Sequence, residues 1–160
     1  MSPQEFQSKY PMATKMRIGI DPGASGGISV LYGVNPVAEK MPDTNKDILD
    51  ILQTYAVQAR MQDLNIFACI EAVHSMPGQG VASSFKFGKG FGALLMALEA
   101  CEIPYELITP QKWQKAMGCL TKGDKNVSKA KAQQLFPSLK ITHATADSLL
   151  IAEYCRRTFP

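Results

Sequence analysis

Two short apolar runs that each end in a carboxylate constrain the fold of this chain more than any other feature. Residues 16–20 precede Asp21, and residues 66–70 precede Glu71. Runs of four or five mostly apolar residues are typical of buried strands, so each carboxylate is expected at the carboxyl edge of a sheet, where ligands tend to bind.

A third acid, Asp147, precedes the apolar stretch 148–152. Carboxylates that are half withdrawn from water need a compensating cation, because burial penalises the charged form. No arginine stands directly beside any of the three acids in the sequence. Since hard cations prefer oxygen ligands, a divalent metal ion is the most economical counter-charge. The sequence therefore predicts a metal-dependent enzyme.

The length of 160 residues suits one compact core and is short for two ordinary domains. We therefore expect a flexible tail over residues 1–14 and a single domain over residues 15–160. No apolar stretch approaches the roughly 20 residues that cross a bilayer, and the tail lacks the apolar centre of a secretory signal. This predicts a cytoplasmic protein with no membrane role.

The four widely spaced cysteines favour buried free thiols over zinc ligands or disulfides.

Basic charge is concentrated in the last third of the chain. Residues 109–160 carry nine basic and three acidic side chains, whereas residues 1–108 carry eight basic and eleven acidic ones. Such a surplus suits a phosphate backbone, although a solvated helical face gives the same pattern. The lysines concerned, which surround Trp113, are Lys112, Lys115, Lys122, Lys125, Lys129 and Lys131.

Periodicity and turn residues predict an alternation of strands and helices. The expected strands are residues 18–20, 28–32, 37–41, 66–70 and 105–108, and the expected helices are residues 45–61, 81–100, 110–117, 126–136 and 143–157. The Asn35-Pro36 pair is interpreted as a break before the third strand. This order predicts an α/β fold in which helices flank a five-stranded mixed sheet. Small residues at positions 88, 90, 92 and 93 favour close packing of the second helix, either on its own sheet or on a second subunit.

His143 and Asp147 are four residues apart at the start of the last expected helix, which places them on one face. With Asp21 and Glu71 they form a candidate site for two Mg²⁺ or Mn²⁺ ions about 4 Å apart, a pair that stabilises both the attacking water and the leaving oxygen of a phosphodiester. Each of the two helix residues also has an ordinary interpretation. Backbone groups at the helix start can form the hydrogen bonds of His143, and the helix dipole favours an acid such as Asp147 near the N-terminus. The hypothesis of nucleic-acid hydrolysis therefore depends on the whole set.

Four segments stand out as motifs. They are Gly19-Ile20-Asp21-Pro22-Gly23 with Gly26-Gly27, Ile70-Glu71-Ala72-Val73, residues 83–92, and Ala146-Asp147-Ser148-Leu149-Leu150-Ile151-Ala152. Together, over residues 16–157, they resemble the successive motifs of the RuvC family of Holliday junction resolvases, and a chain this short is similar to the phage-encoded members. The resemblance implies an RNase H-like fold and a homodimer that binds four-way or branched DNA. It also implies symmetric nicking of two strands with Mg²⁺ or Mn²⁺, no nucleotide cofactor, and, for a phage protein, the cytoplasm of the host cell.

The resemblance implies roles for individual residues as well. Asp21, Glu71 and Asp147 match the family's metal-binding acids, and His143 stands where a second acid of the last helix is common. A histidine at that position favours Mn²⁺. Lys125 matches the lysine that the family places near the scissile phosphate, where a fixed cation stabilises developing charge. An ordinary helix-start lysine is the alternative interpretation.

The remaining family positions concern contacts with DNA. His74 stands where many relatives carry an aromatic wedge that helps to open the junction centre. Either the imidazole of His74 or the ring of Phe85 or Phe87 stacks on a base, or the junction is opened in a different way. Plain packing of both phenylalanines is favoured. Lys112 and Lys115 both lie near one further lysine position of the family. The match to the family is displaced by one residue there, so neither lysine is preferred. The predicted DNA-binding residues are Lys112, Lys115, Lys122, Lys129, His74 and Phe85.

Three other functions fit parts of the sequence. A general RNase H-like nuclease acting on flaps or RNA-DNA hybrids carries the same three acids. A catalytically silent junction-binding protein keeps the basic surface without cutting. An ATPase of the sugar kinase and actin superfamily also has an Asp-x-Gly hairpin, but that fold needs two domains around its nucleotide, and this chain has length for one.

Overall fold

The computed structural model describes residues 14–33, 35–74, 77–120 and 123–160. The predicted tail lies outside these ranges except for Thr14, and the predicted DNA-binding residue Lys122 lies outside them as well. Within the described ranges the chain forms five strands and five helices. The strands are β1 (Lys15–Asp21), β2 (Gly27–Tyr32), β3 (Asn35–Lys40), β4 (Asn65–Glu71) and β5 (Tyr105–Ile108). The helices are α1 (Asn45–Met61), α2 (Val81–Ala100), α3 (Pro110–Ala116), α4 (Lys125–Leu135) and α5 (His143–Thr158).

The strands form one sheet in the order β3-β2-β1-β4-β5. The first three pair antiparallel, whereas β4 runs parallel to β1 and to β5. One face is covered by α1 and α2, and the other by α3, α4 and α5. The predicted α/β fold, with a five-stranded mixed sheet flanked by helices, is confirmed. All four cysteines are free and buried, as predicted.

The predicted break at Asn35-Pro36 is wrong. Both residues belong to β3, where Pro36 pairs with Leu31 of the neighbouring strand. Among the described residues β3 lies at the edge of the sheet and has a ladder partner on one side only, so a residue without an N–H group is tolerated there. The third strand therefore begins two residues earlier than predicted.

No helix within the described ranges is both long enough and apolar enough to span a membrane.

Side-chain alternation in the two central strands decides which residues reach the face covered by α5. Ile20 of β1 pairs with Ile70 of β4, and both point into the core formed with α1 and α2. The next residue of each strand, Asp21 or Glu71, points to the opposite face, because successive side chains alternate. The two carboxylates are therefore neighbours at one edge of the sheet, on the side of α5.

Helix α5 lies in direct backbone contact with β1 and β2. A Cβ atom built on Gly19 would stand 2.2 Å from the carbonyl oxygen of Ser148 and 2.2 Å from the amide nitrogen of Ala152. A Cβ on Gly27 would stand 2.6 Å from the carbonyl oxygen of Ala144. Both strands thus need glycine for α5 to approach this closely.

Polar contacts hold α5 along its length. Near its start, the buried hydroxyl groups of Ser29 and Ser148 are hydrogen-bonded at 2.6 Å. Beyond its end, the buried guanidinium of Arg17 donates to the carbonyl oxygen of Pro160 at 2.7 Å, and it also donates to that of Asn65 at 2.7 Å. These contacts and the two glycines fix where α5 lies over the sheet.

Gly19→Ala should destabilise the protein by at least about 2 kcal/mol, because the added methyl group meets backbone atoms that move only if α5 moves. Gly90→Ala is the matched control, since a Cβ at Gly90 meets no atom within 4 Å, and alanine in a helix is favoured over glycine by about 1 kcal/mol. Thermal unfolding measures both changes. Equal melting temperatures for the Gly19 variant and the wild type would contradict the close approach of α5.

Candidate active site

Three carboxylates from separate elements lie at the edge of the sheet covered by α5. Asp21 is the last residue of β1, Glu71 is the last residue of β4, and Asp147 lies one turn into α5. The start of α5 is fixed because the N–H of Thr142 donates to the hydroxyl oxygen of Thr145 at 3.1 Å. This start sets the position of Asp147 relative to the strands.

Asp21 is the carboxyl that its surroundings affect most. Burial raises the pKa of Asp21, the negative charges of Glu71 and Asp147 raise it further, and the positive charge of Lys125 lowers it, which leaves the pKa at about 8. Without a bound cation, Asp21 therefore holds a proton at neutral pH. Strong shifts with this combination of causes are typical of functional sites.

Glu71 is held by a hydrogen bond from helix α3. The indole Nε1 of Trp113 donates to Oε2 of Glu71 at 2.7 Å. Burial raises the pKa of Glu71, the hydrogen bond from Trp113 lowers it, and the charge of Asp147 raises it. Trp113 is placed by the start of α3, where the hydroxyl oxygen of Thr109 accepts from the N–H of Lys112 at 3.3 Å.

Asp147 is supported by helix α4. Burial raises the pKa of Asp147, whereas a hydrogen bond from the Ser128 side chain and the positive charges of Lys125 and His143 lower it. Helix α4 starts at Lys125, because Asp124 caps it by accepting from the N–H of Asn126 at 3.0 Å. Lys125 and His143 are both exposed at the first position of their helices.

The three carboxylates are the right type of ligand for a divalent cation, because Mg²⁺ and Mn²⁺ prefer oxygen ligands of this kind. Burial, and after it the negative charges of Glu71 and Asp147, raises the pKa of Asp21, so this carboxyl is disfavoured as an anion until a cation compensates it. Among the described residues, no group of three or more His, Cys, Asp or Glu side chains is yet arranged to hold a metal ion. Holding an ion therefore requires carboxylate side chains here to turn toward one another.

The structure brings together five of the predicted site residues. The five are Asp21, Glu71, Asp147, Lys125 and His143, which are linked by the electrostatic interactions described above. Lys112 is exposed and forms a long ion pair with Glu106, with 3.9 Å between Nζ and Oε1. The other predicted DNA-binding lysines in the described ranges lie on α3 and α4, namely Lys115, which is exposed, and Lys129, which is half-buried.

The predicted packing of both phenylalanines is wrong for Phe85, which is 74% exposed on α2. Phe87 is half-buried, and its ring lies against Gly23 in the turn that follows Asp21. His74 is exposed three residues after Glu71. Phe85 and His74 are therefore both accessible to a partner.

Two residues that contact the carboxylates were missed from the sequence. Trp113 was counted only as part of a basic segment, and Ser128 was not singled out. A signal existed for Trp113, because a tryptophan in an apolar helix face needs an acceptor for its indole N–H. No sequence signal distinguishes Ser128 from an ordinary helix residue.

The stability of the metal-free protein should fall as pH rises. The pKa of Asp21 is about 8 in the folded chain, against an ordinary value of 3.8. The folded state therefore binds an extra proton between these values. The stability due to that proton is complete below the ordinary pKa and is lost as pH rises through about 8. Asp21→Asn should remove this loss, so in EDTA its melting temperature should gain on the wild type between about pH 5 and about pH 8.

The matched control for this pH series is Asp50→Asn, which removes an exposed carboxylate of α1 that pairs with Lys46. It should keep the pH dependence of the wild type. Parallel curves for wild type and Asp21→Asn would contradict the raised pKa.

Comparison with known proteins shows a likeness in fold. No protein-family model matches the chain, and no curated protein matches its sequence. The structure of RuvC from Thermus thermophilus is similar, with 17% identity, coverage of 86% of this chain and 90% of that chain, and a TM-score of 0.57. The structure of T. thermophilus RuvC in complex with a Holliday junction substrate has 17% identity, covers 90% of this chain and 96% of that chain, and gives a TM-score of 0.58. The chain therefore has the RNase H-like fold of RuvC, as its motifs predicted.

Proposed function

We propose that this chain is a metal-dependent endonuclease that resolves four-way junctions and other branched DNA by phosphodiester hydrolysis. The observation that carries the proposal is the set of three carboxylates at one sheet edge, where burial and the two neighbouring acids raise the pKa of Asp21 to about 8. Two further observations support it. The fold is shared with RuvC, which has been solved in complex with a Holliday junction substrate, and Lys125 lies beside the carboxylates.

In this proposal Asp21, Glu71 and Asp147 hold Mg²⁺ or Mn²⁺, two ions per site, with His143 as a further ligand or positioning group at the start of α5. Ions bound in this way activate the attacking water and stabilise the leaving oxygen of a phosphodiester. Asp21 would be a ligand with both other carboxylates close by, because the charges of Glu71 and Asp147 both raise its pKa. It must release its proton before it can bind an ion, so activity should rise as pH approaches 8 from below.

The basic residues of α3 and α4 are proposed to bind the DNA backbone. Lys125 lowers the pKa of Asp21 and Asp147, and this proximity to the carboxylates supports a role for its charge beside the scissile phosphate. A fixed cation there stabilises the charge that develops during hydrolysis. Exposed Lys112 and Lys115 extend the positive surface along α3.

A second copy of the chain is the proposed partner on α2. Apolar or small residues spaced three or four positions apart form one exposed stripe along this helix. Val81, Phe85 and Met96 are 88%, 74% and 66% exposed, and a Cβ at Gly88 or Gly92 would meet no atom within 4 Å. A symmetric pair joined along this stripe has two active sites, as paired nicks in one junction require.

Asp21→Asn should lower the cleavage rate of a synthetic four-way junction by about 100-fold or more, because loss of a direct ligand exceeds the 10- to 100-fold effect of outer groups. Junction binding should stay within about twofold, since the lysines are unchanged. Asp50→Asn alters charge equally and should cut normally. Undiminished cutting by the Asp21 variant would contradict the proposal.

The choice of substrate separates this proposal from its alternatives. Four-way junctions, flaps and RNA-DNA hybrids, each labelled on every strand, are incubated with the protein in Mg²⁺ and in Mn²⁺. Symmetric nicks in the junction are the expected products. Preferred cutting of flaps or hybrids would indicate a general RNase H-like nuclease, and binding without cutting would indicate a silent junction-binding protein.

Phe85→Asp should convert the protein from a dimer to a monomer in sedimentation, because it places a charge in the α2 stripe. Met61→Asp is the control, since Met61 is 82% exposed at the end of α1 and does not belong to the α2 stripe. A wild type that sediments as a monomer at all concentrations, or a Phe85 variant that stays dimeric, would contradict the proposed interface.

A further inference from the structure

We propose that Trp113 is a positioning residue of the metal site, whose indole N–H holds the Glu71 carboxylate in the orientation that binds the cation. The inference rests on the proposed function, because the orientation of Glu71 matters to a cation only if Glu71 is a ligand. Helix α3 would then orient a metal ligand in addition to the proposed DNA contacts of its lysines.

The hydrogen bond has the geometry of a strong interaction. Nε1 of Trp113 and Oε2 of Glu71 are 2.7 Å apart, within the short range that is typical of hydrogen bonds to charged acceptors. The acceptor belongs to the last residue of β4, and the donor belongs to a helix that begins two residues after β5 ends. The bond therefore ties the end of one strand to the helix that follows its neighbour.

Packing fixes the direction of the donor. Trp113 is fully buried, in a cluster that includes Ile108, Met117 and Leu149. A ring enclosed in this way has few accessible rotamers, and this restriction keeps its N–H directed at Glu71. The chain has a single tryptophan, and a phenylalanine would fill most of the same space without donating.

The hydrogen bond leaves Glu71 able to bind an ion. A carboxylate has two oxygens and about four acceptor positions, of which Trp113 uses one. A side chain held in one rotamer loses less entropy on binding an ion than a free one does. Outer groups that orient ligands in this way typically change metal affinity by about 10- to 100-fold.

Two experiments on the intact protein test the inference with Mn²⁺ as the probe. In the wild type, Mn²⁺ should quench the emission of Trp113 saturably, because a paramagnetic ion on Glu71 lies next to the indole. Asp21→Asn should abolish this quenching. Mg²⁺, which is not paramagnetic, should reverse it by competition.

The second experiment compares Trp113→Phe with Met117→Leu, using the paramagnetic resonance signal of free Mn²⁺ to measure affinity. Trp113→Phe removes the donor and should weaken Mn²⁺ binding by about 10-fold or more. Met117→Leu disturbs the same cluster without touching the donor, and should change affinity by less than about twofold.

Each alternative outcome is decisive. Unchanged affinity in Trp113→Phe, or an equal loss in both variants, would overturn the positioning role while leaving the proposed metal site in place. If Trp113→Phe does not fold, the wild type still decides, since Mn²⁺ binding seen by calorimetry without a change in Trp113 emission would overturn the inference. Absence of any saturable Mn²⁺ binding by the wild type would instead refute the metal site itself.

Discussion

The contact between Gly19 of β1 and the backbone of α5 is the constraint on which the arrangement of the site depends. Because Gly19 has no side chain, the backbone of α5 at Ser148 and Ala152 lies directly on the strand. Asp147 precedes Ser148, so the same contact sets its distance from Asp21, two residues further along β1. Any larger side chain at position 19 would push α5 outward and carry Asp147 away from the strands. Stability and function are thus linked through one close approach.

Around this contact, the site balances repulsion among acids against support from two helices. Each of the three carboxylates is disfavoured as an anion by burial, and Glu71 and Asp147 further raise the pKa of Asp21. The opposing contributions come from α3 and α4, through the Trp113 and Ser128 hydrogen bonds and the charge of Lys125. The two helices that carry most of the predicted DNA-binding lysines therefore also support the carboxylates. Such an incompletely compensated site favours a cation, and this imbalance supports the proposed metal binding.

Much of this arrangement could be predicted from the sequence, for identifiable reasons. Apolar runs ending in Asp21 and Glu71 fixed both strands and their common edge, because parallel strands end on the same side of a sheet. Helix α1 and helix α2 match their predicted bounds, since amphipathic periodicity and length leave little ambiguity. The rest depends on tertiary contacts that no local pattern encodes. Pro36 is tolerated in β3 because that strand lies at the edge of the described sheet. Only the three-dimensional packing brings Trp113 close to Glu71 and Ser128 close to Asp147.

The central claim is that Asp21, Glu71 and Asp147 share cations at one edge of the sheet. Anomalous diffraction from crystals soaked in Mn²⁺ tests it most directly, because the signal locates the ion without reference to any assumed ligand. Manganese peaks are expected within coordination distance of all three carboxylates, with their side chains turned toward the ions. Ordered carboxylates with no peak between them, or manganese bound only elsewhere on the protein, would contradict it.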